Sequence, residues 1–461
     1  VLGEGAIEAT AEVPALGYKQ ELKRSLSLLD LLAYGLVFIV PIAPVSVFGV
    51  VFNASHGMVP LVYVVGLVAM IFIALSYMAM SKAFPFAGSV YAYASRALGP
   101  AAGFFAGWAI LLDYILIPTA NYVVAAVAFV AVFPAVPRAA VIVVMVVAAT
   151  VVNYLGIEST ARTSFLLLGF QVVVLLLFVA AAGAALAHHV AGARVSFQPF
   201  YNPAEVTPGL VFGALSIAVL SFLGFDAIST LSEESRGGAK TIGRATMLAL
   251  CIGALLFIAQ TWVASLFVLD RTSLPAGDAT DAAFYNIAAV VGGPVLKFLL
   301  AVPGQFLASL AGGVTGQAAT ARLLFGMARD GELPRVLAHV DPQRKVPARA
   351  ILVIAAITMA TSLLLVEHLE LVFSMVSFGA LLGFLSLQIS VVAYFIYREG
   401  SRDWLRHLVT PAIGFAIIAY VLWNADTNAK IAGAVWMCAG LVFYLVLKRL
   451  NRPTSLQDGP A

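Results

Sequence analysis

Residues 221–235, SFLGFDAISTLSEES, decide how this chain is read. They follow an apolar run, Leu210–Leu220, that is ready to cross a membrane. Instead of continuing, the run meets Gly224 and places Asp226 near the middle of its own span. An aspartate at the centre of a membrane helix costs about 2.5–3.5 kcal/mol on insertion scales. An open backbone group in hydrocarbon costs several kcal/mol more, so a helix breaks there only beside protein or water. The break and the acid together therefore point to a polar site inside a membrane protein.

Working outward, composition sets the same class. The chain has 461 residues, 62% hydrophobic and 11% charged, with mean hydropathy +1.00. Uncharged runs of about 20 residues, the length a bilayer demands, recur throughout. They predict an all-α membrane protein with twelve spans, at 28–53, 58–82, 99–131, 137–155, 161–187, 207–235, 241–269, 292–328, 348–366, 370–397, 409–424 and 431–450. If each span reverses the chain and the N-terminus is cytoplasmic, 21 of the 26 Lys and Arg residues fall inside. Only Arg138, Arg194, Arg271, Lys297 and Lys430 fall outside. This is the asymmetry of the positive-inside rule, and it places both termini in the cytoplasm.

A second interruption, VPIAPVS (40–46), lies five spans before the first, and Pro41 and Pro44 each remove an N–H donor. Paired interruptions at matching places in two halves point to an inverted-repeat carrier with its site between them. Packing kinks are the alternative, since Gly and Pro are common in membrane helices.

Three stretches carry a family likeness: FPFAGSVYAYASRALGP (84–100), the opening 221–235 stretch, and ATARLLFGMARDGELP (319–334). They resemble the signatures of amino acid–polyamine–organocation carriers. GWAILLDYILIP (107–118) taken with 221–235 is most similar to bacterial putrescine importers. The resemblance spans roughly residues 22–450. It implies a cytoplasmic tail (1–27), a first five-helix repeat (28–187), an inverted second repeat (207–397), two peripheral spans (409–450) and a second cytoplasmic tail (451–461). It also implies a multi-pass protein of the bacterial inner membrane, and a secondary transporter rather than an enzyme.

Asp226 sits where the family carries an acid that meets substrate amine or a proton; a structural acid bonded to freed amides is the other reading. If helix resumes there, Ser229, Thr230 and Glu233 follow at i+3, i+4 and i+7 on one face, the wall of a cytoplasmic exit path. Glu233 at that end suits a gate or a solvated ion pair equally. Asp113 lies midway through span 3, beside Tyr114 and eight residues before Asn121. Phe222, Phe225, Tyr114 and Tyr122 are candidates for an aromatic box around a cation, and Ser221, Gly224, Ile42 and Ala43 line the two breaks. In span 8, Gly304, Ala308, Gly312, Gly316 and Thr320 recur every four residues, a close-packing seam. Gln171 stands about where many proton-coupled relatives carry a lysine as a built-in cation, which counts against that form of coupling.

The substrate follows from what the breaks offer. An amino acid needs a carboxylate cradle of free N–H groups at a helix start. PIAPVS, with Pro44 at the restart, is poor in such donors, whereas two acids are available for ammonium groups. An extended diamine needs carboxylates roughly 11 Å apart, allowing about 2.8 Å for each charge-assisted bond. A small organic cation, putrescine first, is therefore the expected cargo, with a neutral or cationic amino acid as the alternative. No cofactor, metal-ligand spacing, phosphate loop or nucleic-acid patch is indicated; the expected partners are the substrate, the bilayer and, in one coupling scheme, protons. Asn53-Ala54-Ser55 matches a glycosylation sequon of low information.

Overall fold

Ser27 starts the first of the described helices by accepting from the Asp30 N–H, while the Asp30 carboxylate accepts from the Ser27 N–H at 2.9 Å. This reciprocal box satisfies two end donors and launches α1 (Leu28–Ile39). The computed structural model describes residues 26–84, 89–155, 161–226, 228, 235–329, 333–341, 344 and 346–449. Among them, the sole β pairing is an isolated bridge between Leu26 and Ser235; the rest of the regular structure is helix.

The helices follow the predicted runs. After α1 come α2 (Ala43–Ala54), α3 (Val59–Ala83), α4 (Ser89–Leu98), α5 (Pro100–Val130), α6 (Arg138–Leu155) and α7 (Ala161–Ala187). Next are α8 (Pro208–Ala218), α9 (Gly238–Ser265), α10 (Asp278–Asp281), α11 (Ala283–Leu299) and α12 (Leu307–Arg329). The last four are α13 (Ala348–Leu364), α14 (Leu369–Val392), α15 (Thr410–Asn424) and α16 (Thr427–Arg449). Among the described residues, 9 helices are long and apolar enough to cross a membrane, or 10 when α1 and α2, bent by 45°, count as one broken span. Two shorter apolar helices, Pro208–Phe222 and Ala348–Leu364, occupy the places of the expected sixth and ninth spans. Among the described residues, several ion pairs join loops. His56–Glu205, Arg194–Asp270 and the pairs of Arg138 join residues expected on one face, and Arg344–Asp341 and Arg406–Asp403 join residues expected on the other.

Small residues bring the central helices together. A Cβ on Gly379 of α14 would stand 2.8 Å from the Ala109 carbonyl of α5. The span 8 seam behaves as the four-residue spacing predicts: Gly312 lies under Asn121, Gly313 under Tyr122, and Gly316 against Ile117 and Pro118. Pro118 cannot donate to the Tyr114 carbonyl one turn back; Thr320 Oγ1 of α12 donates to it instead, at 2.6 Å. The peripheral α16 is tied to α5 by a reciprocal tryptophan pair. Trp108 Nε1 donates to the Trp436 carbonyl and Trp436 Nε1 to the Trp108 carbonyl, both at 2.8 Å, with the rings stacked at 4.9 Å.

Candidate functional site

The two predicted breaks are real and lie against each other. At the first, Val40 takes left-handed backbone angles (φ 55°), a conformation that costs a β-branched residue energy. Its N–H closes α1 on Leu36 O at 3.2 Å. The Pro41 carbonyl, freed by the break, accepts from Gln260 Nε2 of α9 at 2.8 Å. At the second, α8 tightens into a 3₁₀ turn over Val219–Phe222, Leu223 is extended, and Gly224 has φ +106°. A Cβ on Gly224 would also stand 2.8 Å from the Phe38 carbonyl of α1. Glycine is required there both for its backbone angles and for the approach of the two broken segments.

Asp226 follows directly on this break and is half-buried. Tyr77 of α3, itself buried, donates from its hydroxyl to Asp226 Oδ2 at 3.2 Å. The Tyr77 ring stands edge-on to Phe225 at 6.0 Å and to Phe384 of α14 at 6.4 Å, and Phe225 lies 6.2 Å from Phe384. Three rings from α3, the α8 break and α14 thus surround the carboxylate's neighbourhood.

Asp113, buried in the middle of α5, lies within electrostatic range of Asp226; Tyr114 lies within range of both acids and of Tyr34. Among the described residues, Asp113 Oδ1 has no hydrogen-bond partner. Two carboxylates, one on α5 and one beside the α8 break, therefore lie within electrostatic range of each other in a largely apolar interior. Like charges so placed repel, and a cation or a proton brought between them relieves the repulsion.

The start of α2 is the other half of the site's chemistry. A helix start normally offers free amides. Here the Ala43 N–H is taken by Val40 O at 2.8 Å, Pro44 has none, and the Val45 N–H is taken by Ile42 O at 3.0 Å. Ile42 is buried, against Gly304 of α12's preceding π-helical turn (Leu300–Phe306), and the Ala43 carbonyl accepts from Ser46 Oγ at 2.8 Å. The first three positions of α2 have no amide left for a carboxylate.

The remaining predicted residues separate into groups. Phe222 packs away from Asp226, at 5.8 Å from Tyr63 and 5.5 Å from Phe257, and Ser221 Oγ shares a 2.9 Å hydrogen bond with the Tyr63 hydroxyl. Tyr122 donates to Gln317 at 3.4 Å and Asn121 Nδ2 to Ile117 O at 3.0 Å, both facing the α12 seam. Ser229, Thr230 and Glu233 lie outside the described residues. Gln171 is buried, with its Oε1 unpartnered among the described residues. Tyr77 and Phe384, which stand beside Asp226 and Phe225, are neighbours that the sequence reading missed. In the apolar run of α3 nothing distinguishes Tyr77 from Tyr63, which is equally buried but bonds Ser221.

Two broken helices in contact, with acids and aromatic rings beside the breaks, are the arrangement of a membrane carrier. The chain belongs to the amino acid permease family, whose model matches residues 39–427. It is 31% identical over 452 residues to the low-affinity putrescine importer PlaP of Escherichia coli K12, covering 96% of this chain and 97% of the relative. It is 25% identical to the branched-chain amino acid permease BcaP of Bacillus subtilis, covering 95% and 96%. It is also 25% identical to the methylthioribose transporter of the same organism, covering 93% and 94%.

Proposed function

We propose that this protein is a secondary transporter that imports a small aliphatic diamine, putrescine first, across the bacterial inner membrane. The observation that carries the reading is a buried Asp113, its Oδ1 without a hydrogen-bond partner among the described residues, within electrostatic range of Asp226 beside the break: two carboxylates for two ammonium groups. The used-up amides at the start of α2 support it, because an α-carboxylate would find no donors there. In this scheme Asp226, oriented by Tyr77, takes one ammonium and Asp113 the other. Phe225 and Phe384 cover the chain between them, and Tyr114 lies alongside. The Escherichia coli relative, a putrescine importer by name, agrees with this cargo.

The division into two inverted repeats (28–187 and 207–397), the cytoplasmic placement of both termini, and the exit path along Ser229, Thr230 and Glu233 belong to the same proposal. Amino-acid transport is the second reading, favoured by the Bacillus subtilis permease among the relatives. Binding of putrescine and ornithine to purified protein, measured by thermal shift, separates the two. Ornithine adds an α-carboxylate to nearly the same chain, so putrescine is expected to bind far better. Equal or tighter binding of ornithine overturns the diamine reading in favour of the amino-acid one.

A further inference from the structure

On the face that the charge pattern places outside, the segment from Leu274 to Asp281 runs between two parts of the molecule and holds each by different chemistry. Toward α2 the contacts are neutral and short. Asn53 Nδ2 donates to Leu274 O and to Thr280 Oγ1, both at 3.1 Å, and its Oδ1 accepts from the Leu274 N–H at 2.6 Å. Gly49 lies so close under Thr280 that any Cβ would overlap the Thr280 carbonyl. Just beyond, Phe284 of α11 meets Phe48 of α2 edge-on at 5.5 Å. The Asn53 amide, which the sequence offers as a glycosylation acceptor, is committed to holding this segment.

Toward α6 and the turn between α13 and α14 the contacts are ionic. Arg138, the first residue of α6, pairs with Asp278, with Asp281 at 3.1 Å and with Glu367 at 3.2 Å. The Arg138 and Asp281 side chains are 10% and 12% exposed, whereas Asp278 and Glu367 are 90% and 67% exposed. One guanidinium thus serves three carboxylates. Burial pushes the Asp281 carboxyl above its ordinary range while Arg138 pulls it down, so this attachment carries a larger desolvation cost than the neutral Asn53 contacts. Ion pairs with exposed partners contribute little and weaken with salt.

We infer that residues 274–281 form a strap fixed to α2 and latched by Arg138 onto α6 and the α13–α14 turn. When this face opens, the Arg138 contacts part first and the strap travels with α2. The inference rests on the carrier reading, in which the outer half of the broken span moves against its surroundings.

Two crosslinks test it, in a Cys251→Ala, Cys438→Ala background. Asn53→Cys with Leu274→Cys joins the strap to α2; Asp278→Cys with Glu367→Cys joins it to the α13–α14 turn. Each pair is reconstituted, and putrescine counterflow is measured before and after bridging with a short bifunctional maleimide. Bridging 278 to 367 is expected to cut uptake by about tenfold or more, as trapping one state of a two-state carrier does. Bridging 53 to 274 is expected to leave uptake within about twofold, since those parts move together. The reverse pattern, or equal effects of both bridges, overturns the inference. Unbridged protein that moves ornithine but not putrescine sinks the diamine reading alone, and the strap is then tested with ornithine. A second measurement avoids bridging: Arg138→Gln is expected to speed labelling of an Asp281→Cys reporter by a membrane-impermeant maleimide several-fold. An unchanged labelling rate shows that Arg138 does not hold the strap shut.

Discussion

Replacing Asp113 by asparagine keeps the shape of the side chain and removes its charge, which makes it the sharpest probe of the two-carboxylate centre. A hydrogen bond to a charged group contributes about 1.5–3 kcal/mol net. At 1.4 kcal/mol per decade, losing one such anchor weakens putrescine binding by roughly 10- to 150-fold. The structure favours the upper half of that range. Asp113 is 9% exposed and its helix packs closely on Gly379, so water has little room to replace the lost partner. The empty protein responds in the opposite direction, because Asp113→Asn removes the cost of burying a carboxylate and, second to it, the repulsion with Asp226. Its melting temperature without ligand is expected to hold or rise. Butylamine supplies the internal control: it carries one ammonium, uses Asp226, and is expected to lose less than about threefold in the variant. The assay is titration calorimetry of both amines against both proteins in the same detergent. Equal losses for the two amines, or a putrescine loss below about twofold, would refute the assignment of Asp113 to the second ammonium.

Gly224→Ala is expected to destabilise the protein by on the order of 1–3 kcal/mol, through its φ of +106° and the Phe38 carbonyl 2.8 Å from the new Cβ; an unchanged melting temperature counts against a rigid junction between the breaks. Trp436→Phe keeps a ring on Trp108 but deletes one of the two 2.8 Å indole hydrogen bonds, and about 1 kcal/mol of stability is expected to go with it. A thermal shift no smaller for Trp436→Ala than for Trp436→Phe supports that account, and a larger loss in the phenylalanine variant contradicts it. For energetics, a dication gains about 4.6 kcal/mol per 100 mV of inside-negative potential, twice the 2.3 of a single charge, which sustains roughly 2,000-fold accumulation. Uptake is accordingly expected in proteoliposomes holding a potassium diffusion potential and no pH gradient; accumulation only after an inward proton gradient is added would mean that a carboxylate carries the proton.

Spans, breaks and the candidate acids were legible because the bilayer imposes one-dimensional rules. Apolar length, the expense of a central aspartate and the absence of donors at Pro41 and Pro44 are properties of the chain read in order. The Gly-to-Thr seam of residues 304–320 was legible for the same reason, since a four-residue period needs no partner to be seen. Which side chains face the breaks was not legible. Tyr77 and Tyr63 lie in one apolar helix, and only the rotation of α3 against the α8 break gives Asp226 to the first and Ser221 to the second. Phe222 and Phe225 are three residues apart, yet the left-handed turn at Gly224 sends one toward Phe257 and the other toward Phe384. Likewise the Asn53 sequon said nothing of Leu274, some 221 residues away, until the folded chain brought them into contact. The sequence alone determined the apolar helical runs, the two breaks at Pro41 and Gly224 and the acids Asp113 and Asp226 within the spans. The tertiary structure decided which groups meet, because side-chain pairing across helices depends on their rotation and approach, and neither is encoded in any local pattern.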